Sequence, residues 1–183
     1  MMIRSATIED APALALVLVD TERSAYRDQI PDEVLFKLTL AEAYAESERN
    51  WRRALQEIAD SANPQACIYV AEDETHTVVG LGMGGPPKQE LLANSGEVYS
   101  LYVGEQQRGQ GLGRVLVQAV VTYLAQQGRS ALLIGCLATN TPARHFYERL
   151  GGRIVAEYEH DEDGALLPKV VYGWPDLQLL VKK

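Results

Sequence analysis

The sequence predicts an α/β chain whose strands form a mixed sheet. Three observations carry this. Short β-rich runs recur along the chain, among them "ACIYVAED", "TVVGLGMGG" and "EVYSLYV". Residues 114–127 show the apolar period of an amphipathic helix. After that helix "ALLIGCL" is apolar throughout, as a strand buried on both faces would be.

The elements follow in order. "IRSATIED" reads as a short strand and then a helix opened by Thr7 or Asp10, with Leu14, Val17 and Leu18 as its apolar pattern. The stretch from "QIPDEV" to "SANP" is charged and helical, with breaks expected at Pro31, near Thr39 and at Asn63-Pro64. Two β-rich runs meet at "DETH" and predict a hairpin, and "PPKQELLANSG" is a loop. The amphipathic helix should bury Leu112, Val115, Leu116, Ala119, Val120, Tyr123 and Leu124, with Gly128 as its C-terminal glycine. "NTPARHFYERLGG" predicts a short helix capped by Thr141, with Pro142 at its first position and Gly151 as its stop. "RIVAEYEH" and "PKVVYGW" close the chain as two strands around "DEDGA".

The chain's 183 residues suit one domain with a real core, and 46% apolar with 23% charged residues is ordinary for a globular protein. A net charge of −8 argues against a nucleic-acid partner and suits neutral or cationic ones. No run is long enough for a membrane span, and "MMIRSATIEDA" has no apolar core of a signal peptide. Cys67 and Cys136 lie in apolar stretches and read as buried thiols, which fits a reducing, cytoplasmic compartment. No Cys/His cluster has metal-ligand spacing, so no metal is expected.

"QRGQGLGR" places Gly109, Gly111 and Gly113 at a helix entrance, with Arg108 and Arg114 beside them. Backbone N–H groups and the positive dipole end point outward there, so the loop is a candidate phosphate or pyrophosphate cradle. It is not a P-loop: Gln110 and Gly111 stand where Lys and Ser/Thr belong. Nor is it the dinucleotide fingerprint, because Arg114 replaces the third glycine. What remains is Arg108-x-x-Gly111-x-Gly113. A plain glycine-rich helix cap is the competing reading.

"EVYSLYVGEQQRGQGLGRVLVQAVV" followed by "NTPARHFYERLGG" resembles the GCN5-related N-acetyltransferase (GNAT) superfamily. The opening "IRSATIEDAPAL" is also similar to the family's, while Arg153 stands near where an aromatic residue is more usual. The resemblance implies a single domain over residues 1–183. It implies a mixed, mostly antiparallel sheet with one parallel strand pair, Glu97–Val103 and Ala131–Leu137, that splays into a V. Acetyl-CoA would lie in that V as co-substrate, without a metal. Leu101, Tyr102 and Val103 would line the pantetheine arm. Arg108, Gly109, Gln110, Gly111, Leu112, Gly113 and Arg114 would hold the pyrophosphate, and Asn140 would touch the pantetheine.

The implied reaction is acetyl transfer to a primary amine of a small molecule or peptide. Tyr147 stands at the family position of the acid that protonates the leaving thiolate, and Glu97 at that of a base for the amine. Packing alone competes for Tyr147, which shares a helix face with Ala143 and Leu150. Period-two alternation should put Glu97, Tyr99, Leu101 and Val103 on one sheet face. His145 should be a surface residue, and the sequence by itself names no partner for His76 or His160. Tyr26, Tyr44 and Trp51 are candidates for an acceptor-pocket wall, with core packing expected for at least two. A CoA-binding sensor without turnover is the alternative function, and a homodimer is allowed for.

Overall fold

The computed structural model describes residues 1–27, 35–36, 39–162 and 165–181. The strands are β1 (Met2–Ser5), β2 (Cys67–Glu72), β3 (Val78–Gly85), β4 (Ser95–Val103), β5 (Ala131–Leu137), β6 (Arg153–Glu162) and β7 (Ala165–Trp174). They form one sheet in the order β1-β2-β3-β4-β5-β7-β6. Every pairing is antiparallel except that of β4 with β5. The helices are α1 (Ala11–Ala25), α2 (Ala41–Asp60), α3 (Leu112–Gln126), α4 (Thr141–Arg149) and a short α5 (Gln178–Val181). This is the mixed, mostly antiparallel α/β sheet expected. The C-terminal helix α5 was not anticipated, and the break at Pro31 lies outside the described residues.

Local chemistry explains the element ends. Thr7 precedes a 3-10 turn, Ile8–Asp10, and its N–H donates to Asp10 Oδ2 at 2.7 Å. The Arg4 guanidinium joins Asp10 (2.7 Å) and Glu72 (2.6 Å), tying β1 to the start of α1 and to β2. That contact holds the Asp10 carboxyl below its ordinary range. In the β2–β3 turn, Asp73 Oδ1 accepts from the N–H groups of Thr75 and Thr77 (2.8 and 3.1 Å), while His76 takes a positive φ of 62°. Its ring lies 3.5 Å from Glu72, a partner the sequence did not reveal. The cap of α4 is Asn140, not Thr141: its side chain accepts from Ala143 N at 3.1 Å.

The two sheet faces have separate cores. α1 and α2 cover Ile68, Val70 and Leu81 with Leu14, Trp51 and Leu55. On the opposite face α3 and α4 cover Val98, Leu132, Ile134, Tyr172 and Trp174. The buried stripe of α3 is Leu112, Leu116, Val117, Val120, Val121 and Leu124. Val115, expected inside, is 43% exposed. The stripe is rotated toward Val117 and Val121 because α3 packs on β2, β3 and β4 and on α5.

Glycines on β3 let α3 approach closely. A Cβ on Gly84 would stand 2.4 Å from Val120 Cγ1 and 2.8 Å from the Glu97 carbonyl oxygen. Gly82 lies beneath Val120 and Leu116 as well. No helix among the described residues is long and apolar enough to cross a membrane.

The expected shared face of Glu97, Tyr99, Leu101 and Val103 also fails. The β3–β4 register pairs Met83 with Ser100 but Gly84 with Val98, so Tyr99 is an extra residue in a bulge. Val98 lies in the α3 core, and Leu101 and Val103 pack against Leu112 and Leu116 on that same side. Glu97, paired with Gly85, therefore sits on the opposite face from Leu101 and Val103. A strict period of two does not survive a bulge.

Gly84→Val should destabilise the protein by about 1–3 kcal/mol through overpacking against Val120 and the β4 backbone. Denaturant unfolding measures it. An unchanged midpoint would show that α3 does not need this close approach.

Candidate functional site

The site begins where pairing stops. β4 and β5 are in register at Ser95–Ala131, Gly96–Leu132, Glu97–Leu133 and Val98–Ile134, and no further. Both strands continue, β4 along β3 to Val103 and β5 along β7 to Leu137. A V-shaped gap opens between them. Gly104 N donates to Val79 O on β3 at 2.8 Å. Antiparallel alternation then turns the backbone groups of Tyr102 toward β3 and those of Leu101 and Val103 into the gap.

The glycine loop lies at the mouth of this gap. Gly109 and Gly111 have φ of +77° and +87°, and a Cβ on either would meet nothing within 4 Å. Their need for glycine is conformational. Gly111 caps α3 in the left-handed region, and its carbonyl accepts from Arg114 N and Val115 N. Among the described residues, no acceptor receives the N–H groups of Gly109, Gln110, Gly111, Leu112 or Gly113. This is a row of amide donors at a helix N-terminus. Gly113 differs: its Cβ direction points at the Phe146 ring, 3.3 Å away, so it fits α3 against α4. The Arg108 guanidinium folds back over the mouth, with Nε 3.3 Å from Val103 O and Nη2 3.2 Å from Ser24 Oγ on α1.

Tyr147 is buried, within an aromatic cluster with Phe146 (5.5 Å), Tyr172 (5.5 Å) and Trp174 (6.3 Å). Burial pushes its hydroxyl well up, with Cys136, Tyr26 and Tyr172 adding to the shift. Asn140 is committed through its side-chain oxygen to capping α4, which leaves its amide nitrogen for other contacts. Tyr172 donates to Glu148 (2.8 Å), and Arg144 reaches Tyr172 Oη (3.3 Å) and Ala138 O (2.9 Å).

On the opposite face, Glu97 Oε2 accepts from Lys88 N at 2.7 Å. Tyr99 donates to the Pro86 carbonyl, and Lys88 Nζ lies 5.6 Å from its ring. Burial, then the charge of Glu97, pushes the Tyr99 hydroxyl up to about 12. Tyr102 donates to Glu22 on α1 at 2.7 Å and is also bonded to Tyr26. Tyr26 packs with Leu137 and Leu167. It is the one member of the expected aromatic trio at the gap. Trp51 is core, and Tyr44 bonds Asp20 and Arg23 of α1. His145 is exposed, as expected.

Sequence reasoning missed Glu22 and Ser24. Glu22 had a signal: it continues the i, i+4 series Leu14, Leu18, Glu22, Tyr26, a carboxylate within an apolar stripe. Ser24 had none. A cavity of about 500 Å³, lined by Ile8, Leu55, Ile58, Cys67 and Tyr123 among others, contains none of the expected site residues. No group of three or more metal-ligating side chains is gathered among the described residues.

The sequence profile described as "Acetyltransferase (GNAT) family" matches residues 32–152. The chain belongs to that family. An uncharacterized N-acetyltransferase of Bacillus subtilis (strain 168), YuaI, is 33% identical over 97% of this chain and 95% of its own length. The PaiA N-acetyltransferase of Thermoplasma acidophilum, solved in complex with coenzyme A, shares the fold with a TM-score of 0.70 at 18% identity, covering 92% of this chain and 96% of that one. YncA of Salmonella typhimurium, a putative acetyltransferase solved with its cofactor acetyl-CoA, gives 0.65 at 19% identity, covering 97% and 94%. This GNAT protein is accordingly an acyltransferase enzyme, and the non-catalytic alternative is not favoured.

Burial pushes the Cys67 thiol up to about 12 and that of Cys136 up to about 11, from 9.0. At pH 8 the Cys136 thiolate fraction falls about 100-fold below that of an open thiol. A disulfide reagent should therefore react slowly with the folded protein and rapidly with two thiols after denaturation. Fast labelling of the native chain would mean that burial does not protect them.

Proposed function

We propose that this enzyme transfers the acetyl group of acetyl-CoA to a primary amine of a small molecule or peptide. The observation that carries the proposal is the V-shaped gap with a row of amides at its mouth that meet no acceptor among the described residues. A chain of phosphates suits the amides of residues 109–113, because glycine conformations at Gly109 and Gly111 turn them outward and no side chain shields them. An arm bearing amide groups suits the backbone edge of Leu101 and Val103, as an added strand would. CoA has both parts. Tyr102 on the other face, Asn140 at the head of α4, and Arg108 and Arg114 beside the loop complete the proposed contacts.

Acetyl-CoA supplies an activated thioester; the chain supplies positions and proton transfers. The cofactor side is the face of α3, so the acceptor comes from the opposite face, where the bulge has turned Glu97. This placement supports Glu97 as base better than the shared face expected from alternation. Its Oε2 is held by Lys88 N, and Oε1 accepts nothing from the described residues. Glu97, directly or through water, takes a proton from the ammonium. The amine nitrogen bonds to the acetyl carbon, the carbon–sulfur bond breaks, and the nitrogen releases its surplus proton to solvent so that a neutral amide is left. Tyr147, kept protonated by burial, donates its proton to the thiolate and is reprotonated from solvent.

Gly111→Val should weaken acetyl-CoA binding, since a branched residue resists φ near +87° and the amide row would turn. Calorimetric titration of the folded variant measures it. Equal affinity would remove the loop from the site.

Release of free thiol on mixing with acetyl-CoA and a panel of amines tests the activity itself. Glu97→Gln and Tyr147→Phe should each lower kcat by about 10²- to 10⁴-fold with acetyl-CoA affinity retained. Only Glu97→Gln should recover in part at high pH, as free amine accumulates. Full kcat in either variant would reduce that residue to packing.

A further inference from the structure

We infer that Gly135 forms the floor of the acceptor pocket and selects acceptors by the size of the group beside the amine. The inference rests on the acetyl-transfer reading and adds where the acceptor lies. Along β5 the side chains of Ile134 and Cys136 face α3 and α4. Leu133, Gly135 and Leu137 face the other way. Leu133 and Leu137 are buried, at 1% and 4% exposure. Gly135, between them and interior to a seven-stranded sheet, is exposed.

Two features produce that exposure. On one side β4 has left, because pairing ends at Val98–Ile134, one residue earlier. On the other side Val171 of β7 is its partner. Among the described residues, a Cβ at Gly135 would meet nothing nearer than Val170 O at 3.8 Å and Val171 Cγ2 at 4.0 Å. Neither packing by the described residues nor a positive φ requires glycine here. Glycine in a strand interior weakens the strand, and a position that tolerates a side chain yet lacks one marks a close approach by something else. The notch opens onto the gap, on the face that carries Glu97. Glu97 pairs with Leu133, so it stands two strand residues from Gly135, roughly 7 Å along the sheet. An amine deprotonated at Glu97 would lay its neighbouring substituent over Gly135, under Tyr26 at the end of α1.

The opposing demands on stability and activity give the test. Gly135→Ala and Gly135→Val are assayed with primary amines graded from methylamine to phenethylamine, alongside acetyl-CoA titration and thermal unfolding. Both variants should unfold at or above the wild-type temperature, because strand propensity rises and no clash forms. Acetyl-CoA affinity should be unchanged. For the larger amines kcat/KM should fall about tenfold or more with Val and less with Ala, mainly through KM, while methylamine changes about twofold or less. Equal losses for all amines, or none, would overturn the role of Gly135. Wild-type protein that acetylates no amine in the series would sink the transfer reading and this inference with it.

Discussion

The parting of β4 from β5 is the constraint on which the rest of the site depends. A parallel pair inside a sheet satisfies backbone groups on both edges, and ending it mid-sheet leaves donors and acceptors without partners. Here the parting has two causes. The bulge at Tyr99 adds a residue to β4 and bends it with β3, while β5 stays in register with β7 to Leu137. The two halves of the sheet cannot close over the gap. Its polar edge is therefore a product of topology, before any side chain is considered.

The helix that carries the amide row is positioned by absence of side chains. Gly80, Gly82 and Gly84 alternate along β3 and leave a smooth track on which Leu116 and Val120 rest. Gly113 then brings the first turn of α3 against Phe146, next to Tyr147. One rigid contact chain thus runs from the β3 backbone through the loop to the aromatic cluster of α4. The position of the cradle relative to Tyr147 follows from this packing.

The end of α1 supplies a polar border on the other face. Glu22 and Tyr26 meet Tyr102 of β4, and Ser24 meets Arg108 from the loop. Residues 22–26, little more than one helical turn and far from the gap in sequence, thus reach both its wall and its mouth. Arg108 and Arg114 lie beside the loop, and the carboxylates Glu22 and Glu97 lie on the face opposite α3, with Lys88 next to Glu97. Under the proposed reading, the loop side serves phosphates and the carboxylate side an ammonium group.

Much of the fold was legible in the sequence because local periodicity and turn chemistry decide it. The order of elements, the hairpin at Asp73, the helix ends at Gly128 and Gly151 and the amide-rich turn at Gly109 and Gly111 each depend on neighbours within a few residues. The candidate site was legible only where a motif named it. The cap at Asn140 is a local bond to Ala143 N, one residue ahead of the position the sequence suggests, whereas the buried stripe through Val117 and Val121 depends on packing by distant elements. The face of Glu97 was decided by the register of β4 against β3, and a bulge leaves no periodic trace in a single strand. The same holds for Glu22 and Ser24, which lie about 80 residues from their partners Tyr102 and Arg108. The exposure of Gly135 is likewise invisible along the chain: the sequence determined that a glycine stands in an apolar strand, and only the departure of a neighbouring strand made it a notch.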